Sequence, residues 1–115
     1  MEEVDGKVTI APSVLTTIVR MTALENRGVH KLATHHAPVR GLRSGTASDD
    51  GVIAALTPDG VKVELHIIAT SDANLLKLGE ALQADVRRAI EHMVGMPVQS
   101  VDVHIEGVIL GASDT

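Results

Sequence analysis

The sequence predicts an α/β domain of the two-layer α+β kind. It consists of a small mixed sheet of about three strands, plus a short N-terminal arm, with two helices packed on one face. Three observations predict it. Two β-rich runs flank a Thr-Pro-Asp-Gly turn at residues 57–60, two longer stretches carry apolar residues at helical spacing, and a final run places apolar residues at every second position. The order along the chain is (β)αββαβ.

Taking the elements in turn, Val8 and Ile10 alternate as an extended arm or brief strand. Pro12 suits the first turn of a helix, where its missing N–H costs nothing. Val14, Leu15, Ile18, Met21 and Thr22 follow at helical spacing, and Gly28 is the expected stop. From Thr34 to Asp50 small and polar residues dominate, with Arg40 and Arg43 among them, which predicts a mobile loop over 34–50. In the hairpin Pro58 is preset for the second turn position and Gly60 is free to take positive φ. Its second strand sends Val61, Val63, Leu65 and Ile67 to one face and Lys62, Glu64, His66 and Ile68 to the other. In the second helix Leu75, Leu78, Leu82, Val86, Ala89 and Met93 form an apolar stripe that Gly95 ends and Pro97 keeps from resuming. The last strand then turns Val101, Val103 and Ile105 inward and Asp102, His104 and Glu106 outward.

At 115 residues the chain reads as a single domain, 1–115, with no internal repeat. A hydrophobic fraction of 44% and a charged fraction of 22% fit a soluble globular protein. The net charge of −5 disfavours a phosphate backbone as partner, so no nucleic acid is expected. With no cysteine there is no disulfide, thiolate nucleophile or cysteine-based zinc site. With no Phe, Trp or Tyr there is no platform for stacking a base, and the core must be Val, Ile, Leu, Ala and Met. The acidic start lacks a secretory h-region, and no apolar run approaches the roughly 20 residues of a spanning helix. Direct membrane insertion is not expected.

The candidate chemistry is sparse. The glycines form neither a dinucleotide fingerprint nor a phosphate loop, and no serine sits in a nucleophile elbow. Catalytic residues, cofactor and metal are therefore each read as none. Six histidines keep a His-dependent metal-binding protein open as an alternative, through the adjacent His35 and His36 or through the outward sheet face. That face would gather Glu64, His66, Asp102, His104 and Glu106, and reads either as the solvated face of a strand or as a protein interface. The element order also leaves a KH-like RNA-binding module as an alternative, against which stand the charge and a "GLRSG" one residue too long for a GXXG loop.

Three blocks together resemble a known family. "GKVTIAPSVLTTIVRMTALENRGV", "GVKVELHIIA" and "NLLKLGEALQADVRRAIEHMVGMPVQSVDVHIEGV" are similar, in order and spacing, to the signature blocks of the bacterial alkaline shock protein family, the envelope stress response proteins. The resemblance covers most of the chain except 34–50. It implies a non-enzymatic interaction or scaffold protein of the cytoplasm, linked to cell-envelope stress response and homeostasis. Such a protein forms homo-oligomers and sits beneath the membrane by binding a membrane-embedded anchor protein. The chain departs from the family in having no aromatic residue and in its His-His pair.

Overall fold

A computed structural model describes residues 5–34, 45–70 and 72–110. Within them the elements are α1 (Pro12–Leu24), β1 (Val29–Leu32), β2 (Thr46–Asp49), β3 (Val52–Thr57), β4 (Gly60–Thr70), α2 (Leu75–Met93) and β5 (Val98–Ile109). The predicted class holds, a mixed sheet with two helices on one face, but the sheet has five strands rather than three. β1 (VHKL) and β2 (TASD) are four residues each and largely polar, too short to show a period of two in the sequence.

β4 organises the sheet. β5 runs parallel along one of its edges, from Val61↔Val98 to Thr70↔Ile109. Its other edge is shared: β3 pairs antiparallel with the first half of β4, and β1 pairs antiparallel with the second half. β2 then adds outside β3. The two neighbours meet at His66, whose backbone N–H donates to Gly51 O (2.8 Å) while its carbonyl accepts from Ala33 N–H (2.9 Å).

The hairpin turn forms as predicted. Asp59 N–H donates to Thr57 Oγ1 (3.2 Å), and that hydroxyl donates to Gly60 O (2.8 Å). Gly60 has φ of 135°, and a Cβ there would lie 2.6 Å from Pro97 O, so the turn and the close approach of β5's leading residue both need glycine.

The core lies between the helices and one sheet face. Val61, Val63, Leu65 and Ile67 of β4 are all buried, as the alternation predicts, and meet Val52, Ala54 and Val101 of their neighbours. Onto them α1 lays Leu15, Ile18, Val19 and Ala23, and α2 lays Leu78, Leu82, Val86 and Ile90. Each such Leu, Ile or Val contributes roughly 1.5–3 kcal/mol on full burial.

The helix faces differ in detail from the predicted stripes. On α1, Met21 is 58% exposed and Val14 is exposed, while Val19 and Ala23 are buried instead. On α2, Ile90 takes the place assigned to Met93, which is 66% exposed. A row of steps of four, 78–82–86–90, lies across the sheet, whereas a three-and-four stripe would need the sheet to continue under Leu75 and Met93. α1 also stops four residues before Gly28, with Glu25 as its C-cap. Gly28 is instead the place where the chain passes Leu78: a Cβ there would lie 2.9 Å from Leu78 Cδ1.

Two further expectations are corrected. Residues 5–11 contain no strand, and Val8 is almost fully exposed, because no sheet edge lies there to pair with it. Of the loop predicted over 34–50, residues 35–44 lie outside the described residues, and Thr46–Asp49 is the edge strand β2.

Candidate functional site

The sheet face turned away from the helices holds the five residues singled out in the sequence. Parallel pairing sets Glu64 beside Asp102 and His66 beside His104. A register irregularity falls where Ile67 pairs Ile105 and Ile68 already pairs Gly107, so Glu106 has no opposite number on β4. Glu106 meets the His66 ring instead.

His66 is the centre of this group. Its Nδ1 stands 2.5 Å from Glu106 Oε2 and its Nε2 stands 2.7 Å from Glu64 Oε2. The His104 ring stacks on it, with centroids 4.5 Å apart and planes 10° from parallel, and His104 Nε2 reaches to 3.9 Å from the same Glu64 oxygen. A neutral imidazole carries one ring proton and a carboxylate none. The ring's one proton therefore serves one of the two contacts, and the other needs a further proton shared within the group.

The coverage of these residues is uneven. His66 is 4% exposed, Glu64 is half-buried, and Asp102, His104 and Glu106 are exposed. The prediction of an open face is corrected at His66: alternation fixes the side to which a residue points, not whether its neighbours cover it. A partner docking on this face would touch His104 and the two β5 acids rather than His66. One donor atom from each of Glu64, His66 and His104 lies within 4.8 Å of the others. Of the other histidines, His30 lies on β1, His92 on α2, and His35 and His36 lie outside the described residues.

A second feature escaped sequence reasoning because its residues were assigned to the core. On the outer side of the helix pair a groove of about 880 Å³ runs between α1 and α2, floored by Ile18 and Ala89 and flanked by the exposed Met21 and Met93. Its rim is charged, with Glu25 and Arg27 on one side and Asp85 and Arg88 on the other. No described helix is long and apolar enough to cross a membrane.

The chain is similar to two bacterial proteins. It is 27% identical over 104 residues to the uncharacterized protein YqhY of Bacillus subtilis (strain 168), covering 90% of this chain and 77% of that one. It is 24% identical over 105 residues to the uncharacterized protein Spy1535 of Streptococcus pyogenes serotype M6, covering 90% and 80%. Among solved structures, the zinc form of a variant MamM CTD superposes with a TM-score of 0.57 at 15% identity, over 89% of this chain and 91% of that one, a likeness of fold alone. Residues 1–110 match one family, almost the whole chain, and the match agrees with the three sequence blocks: the protein belongs to the alkaline shock protein 23 family, whose described function is cell envelope-related.

Proposed function

We propose that this protein is a non-enzymatic interaction module of cell-envelope homeostasis and stress response, acting in the cytoplasm by self-association and by binding a membrane-anchored partner. The observation that carries the reading is the helix-side groove. Met21 and Met93 stand 58% and 66% exposed around an apolar floor, so the fold leaves large apolar side chains outside its own core. Methionine surfaces adapt to varied partners, and a groove between two helices is the shape that receives the apolar face of a third. The family's envelope-related role supports a partner held at the membrane. Self-association has support at the edge of the sheet. β5 runs twelve residues yet pairs only with β4, so one long edge has no second strand among the described residues.

Light scattering over a concentration series, joined to capture from detergent-solubilised membranes, tests the reading. The wild-type protein is expected to gain mass with concentration and to retain a membrane protein that Met21→Glu/Met93→Glu releases. A strict monomer that retains nothing would sink it.

A further inference from the structure

Glu64, His66 and His104 stand close enough to bind one ion, and their surroundings favour this. We propose that the sheet face is a binding site for one divalent transition-metal ion of the zinc class, held by His66 Nε2, His104 Nε2 and the Glu64 carboxylate. Glu106 acts as the orienting residue. This site is independent of the interaction role above.

The first support is the direction of the His66 ring. A histidine that ligates through one nitrogen has its other N–H held by a carboxylate or carbonyl, which fixes the tautomer and the ring plane. Glu106 stands 2.5 Å from Nδ1, so with the proton on Nδ1 the Nε2 lone pair points at Glu64, 2.7 Å away. A proton bridges two acceptors at that distance. A metal ion taking its place would open the pair to a little over 3 Å and would also engage His104 Nε2, which faces the same Glu64 oxygen at 3.9 Å.

The second support is the frame. His66 and His104 are register partners on adjacent parallel strands, and Glu64 is two residues before His66 on the same face. Their backbones are therefore held by the sheet rather than by a loop. The His66 side chain is 5% exposed and fixed, while His104 and Glu64, at 50% and 39%, have room to adjust. Zinc bonds of about 2.0–2.2 Å demand donors a little over 3 Å apart. The donors here lie within 4.8 Å of one another: the half-exposed Glu64 carboxylate would draw back slightly from His66 Nε2, now 2.7 Å away, and the His104 ring would rotate out of its stack toward the ion.

The third support is charge and donor type. Glu64, Glu106 and Asp102 crowd one small area with acid, which favours a dication. Two imidazoles and a carboxylate suit zinc, copper or nickel, whereas magnesium and calcium take oxygen ligands. Three protein ligands leave a fourth position for water or for a group from another molecule. On binding, the metal–Nε2 bond replaces any proton on that nitrogen, which leaves to solvent.

The test uses the full chain without a histidine tag, stripped with a chelator and titrated with Zn2+ by calorimetry and with Co2+ by visible absorption. One equivalent of each is expected to bind, Co2+ giving the intense d–d bands of a tetrahedral site, and Mg2+ is expected to give no signal. His104→Ala and Glu64→Gln, both at partly exposed side chains and checked for folding by circular dichroism, are expected to lose at least about 10-fold in affinity, and Glu106→Ala about 10- to 100-fold. Wild-type protein that binds no equivalent of Zn2+ would overturn the site. So would undiminished binding in His104→Ala and Glu64→Gln, or loss confined to His35→Ala/His36→Ala.

Discussion

His66 and His104 stack face to face across the β4–β5 pair, yet one side chain is 5% exposed and the other 50%. The two rings share one register position and differ in everything that determines the cost of removing them. His66→Ala deletes a buried ring and both of its carboxylate contacts, leaving Glu64 and Glu106 facing each other without the group between them. It is expected to destabilise the fold by at least about 2 kcal/mol. His104→Ala removes a half-exposed ring and is expected to cost less than about 1 kcal/mol. Urea denaturation of the two variants checks the pair, and equal losses would contradict the asymmetry.

The helix faces give a second contrast. Leu82 is fully buried beneath α2, and Leu82→Ala is expected to cost about 2–5 kcal/mol through lost burial and the cavity left behind. Met93, on the same helix, is largely exposed, and Met93→Ala is expected to change stability by less than about 0.5 kcal/mol. Thermal melts of both decide it. A large loss at Met93 would mean that the groove is filled in solution, by a second copy or by the chain itself.

The contrast between Leu82 and Met93 also shows what a single sequence can carry. Period two fixed the faces of β4 and β5 correctly, because alternate residues must point to opposite sides whatever packs on them. Period 3.6 located both helices but misassigned Met21, Met93 and Ile90, since the stripe that becomes core depends on how a helix crosses the sheet. β1 and β2 were invisible because four-residue polar segments become strands only when an edge is offered to them. The candidate site was legible as a list of outward residues. Its convergence on His66 was not, since it needs parallel pairing of β4 with β5 and the irregularity at Glu106, both of which are tertiary facts.

Arg20 of α1 and Asp49 of β2 form an ion pair between the first helix and the outermost strand, at 2.6 Å. Both side chains are more than two-fifths exposed, so solvent and salt weaken the attraction. A double-mutant cycle with Arg20→Ala and Asp49→Ala is expected to give a coupling of about 0.2–1 kcal/mol, falling in high salt. A salt-independent coupling above 2 kcal/mol would show that β2 depends on this pair for its position.

Gly51, in the turn between β2 and β3, occupies a tightly constrained backbone position. Its φ is 83°, in the region that favours glycine, and a Cβ there would stand 2.9 Å from both Ala33 O and Leu32 Cβ and 3.1 Å from His66 O. The position cannot relax easily, because Gly51 O accepts from His66 N–H while His66 O accepts from Ala33 N–H, locking the end of β1 and the start of β3 onto one residue of β4. Gly51→Ala therefore adds conformational strain of about 1–3 kcal/mol to a steric clash with backbone that has nowhere to move. The expected outcome is a loss of more than about 2 kcal/mol in chemical denaturation, together with faster hydrogen exchange at the amides of Ala33 and His66. Gly6, also at positive φ but with nothing within 4 Å of its would-be Cβ, serves as the control: Gly6→Ala is expected to be nearly silent, since the exposed arm can adjust its backbone. If both substitutions proved silent, the junction at His66 would be looser than its hydrogen bonds imply, and the fixed placement of the His66 ring would lose its support.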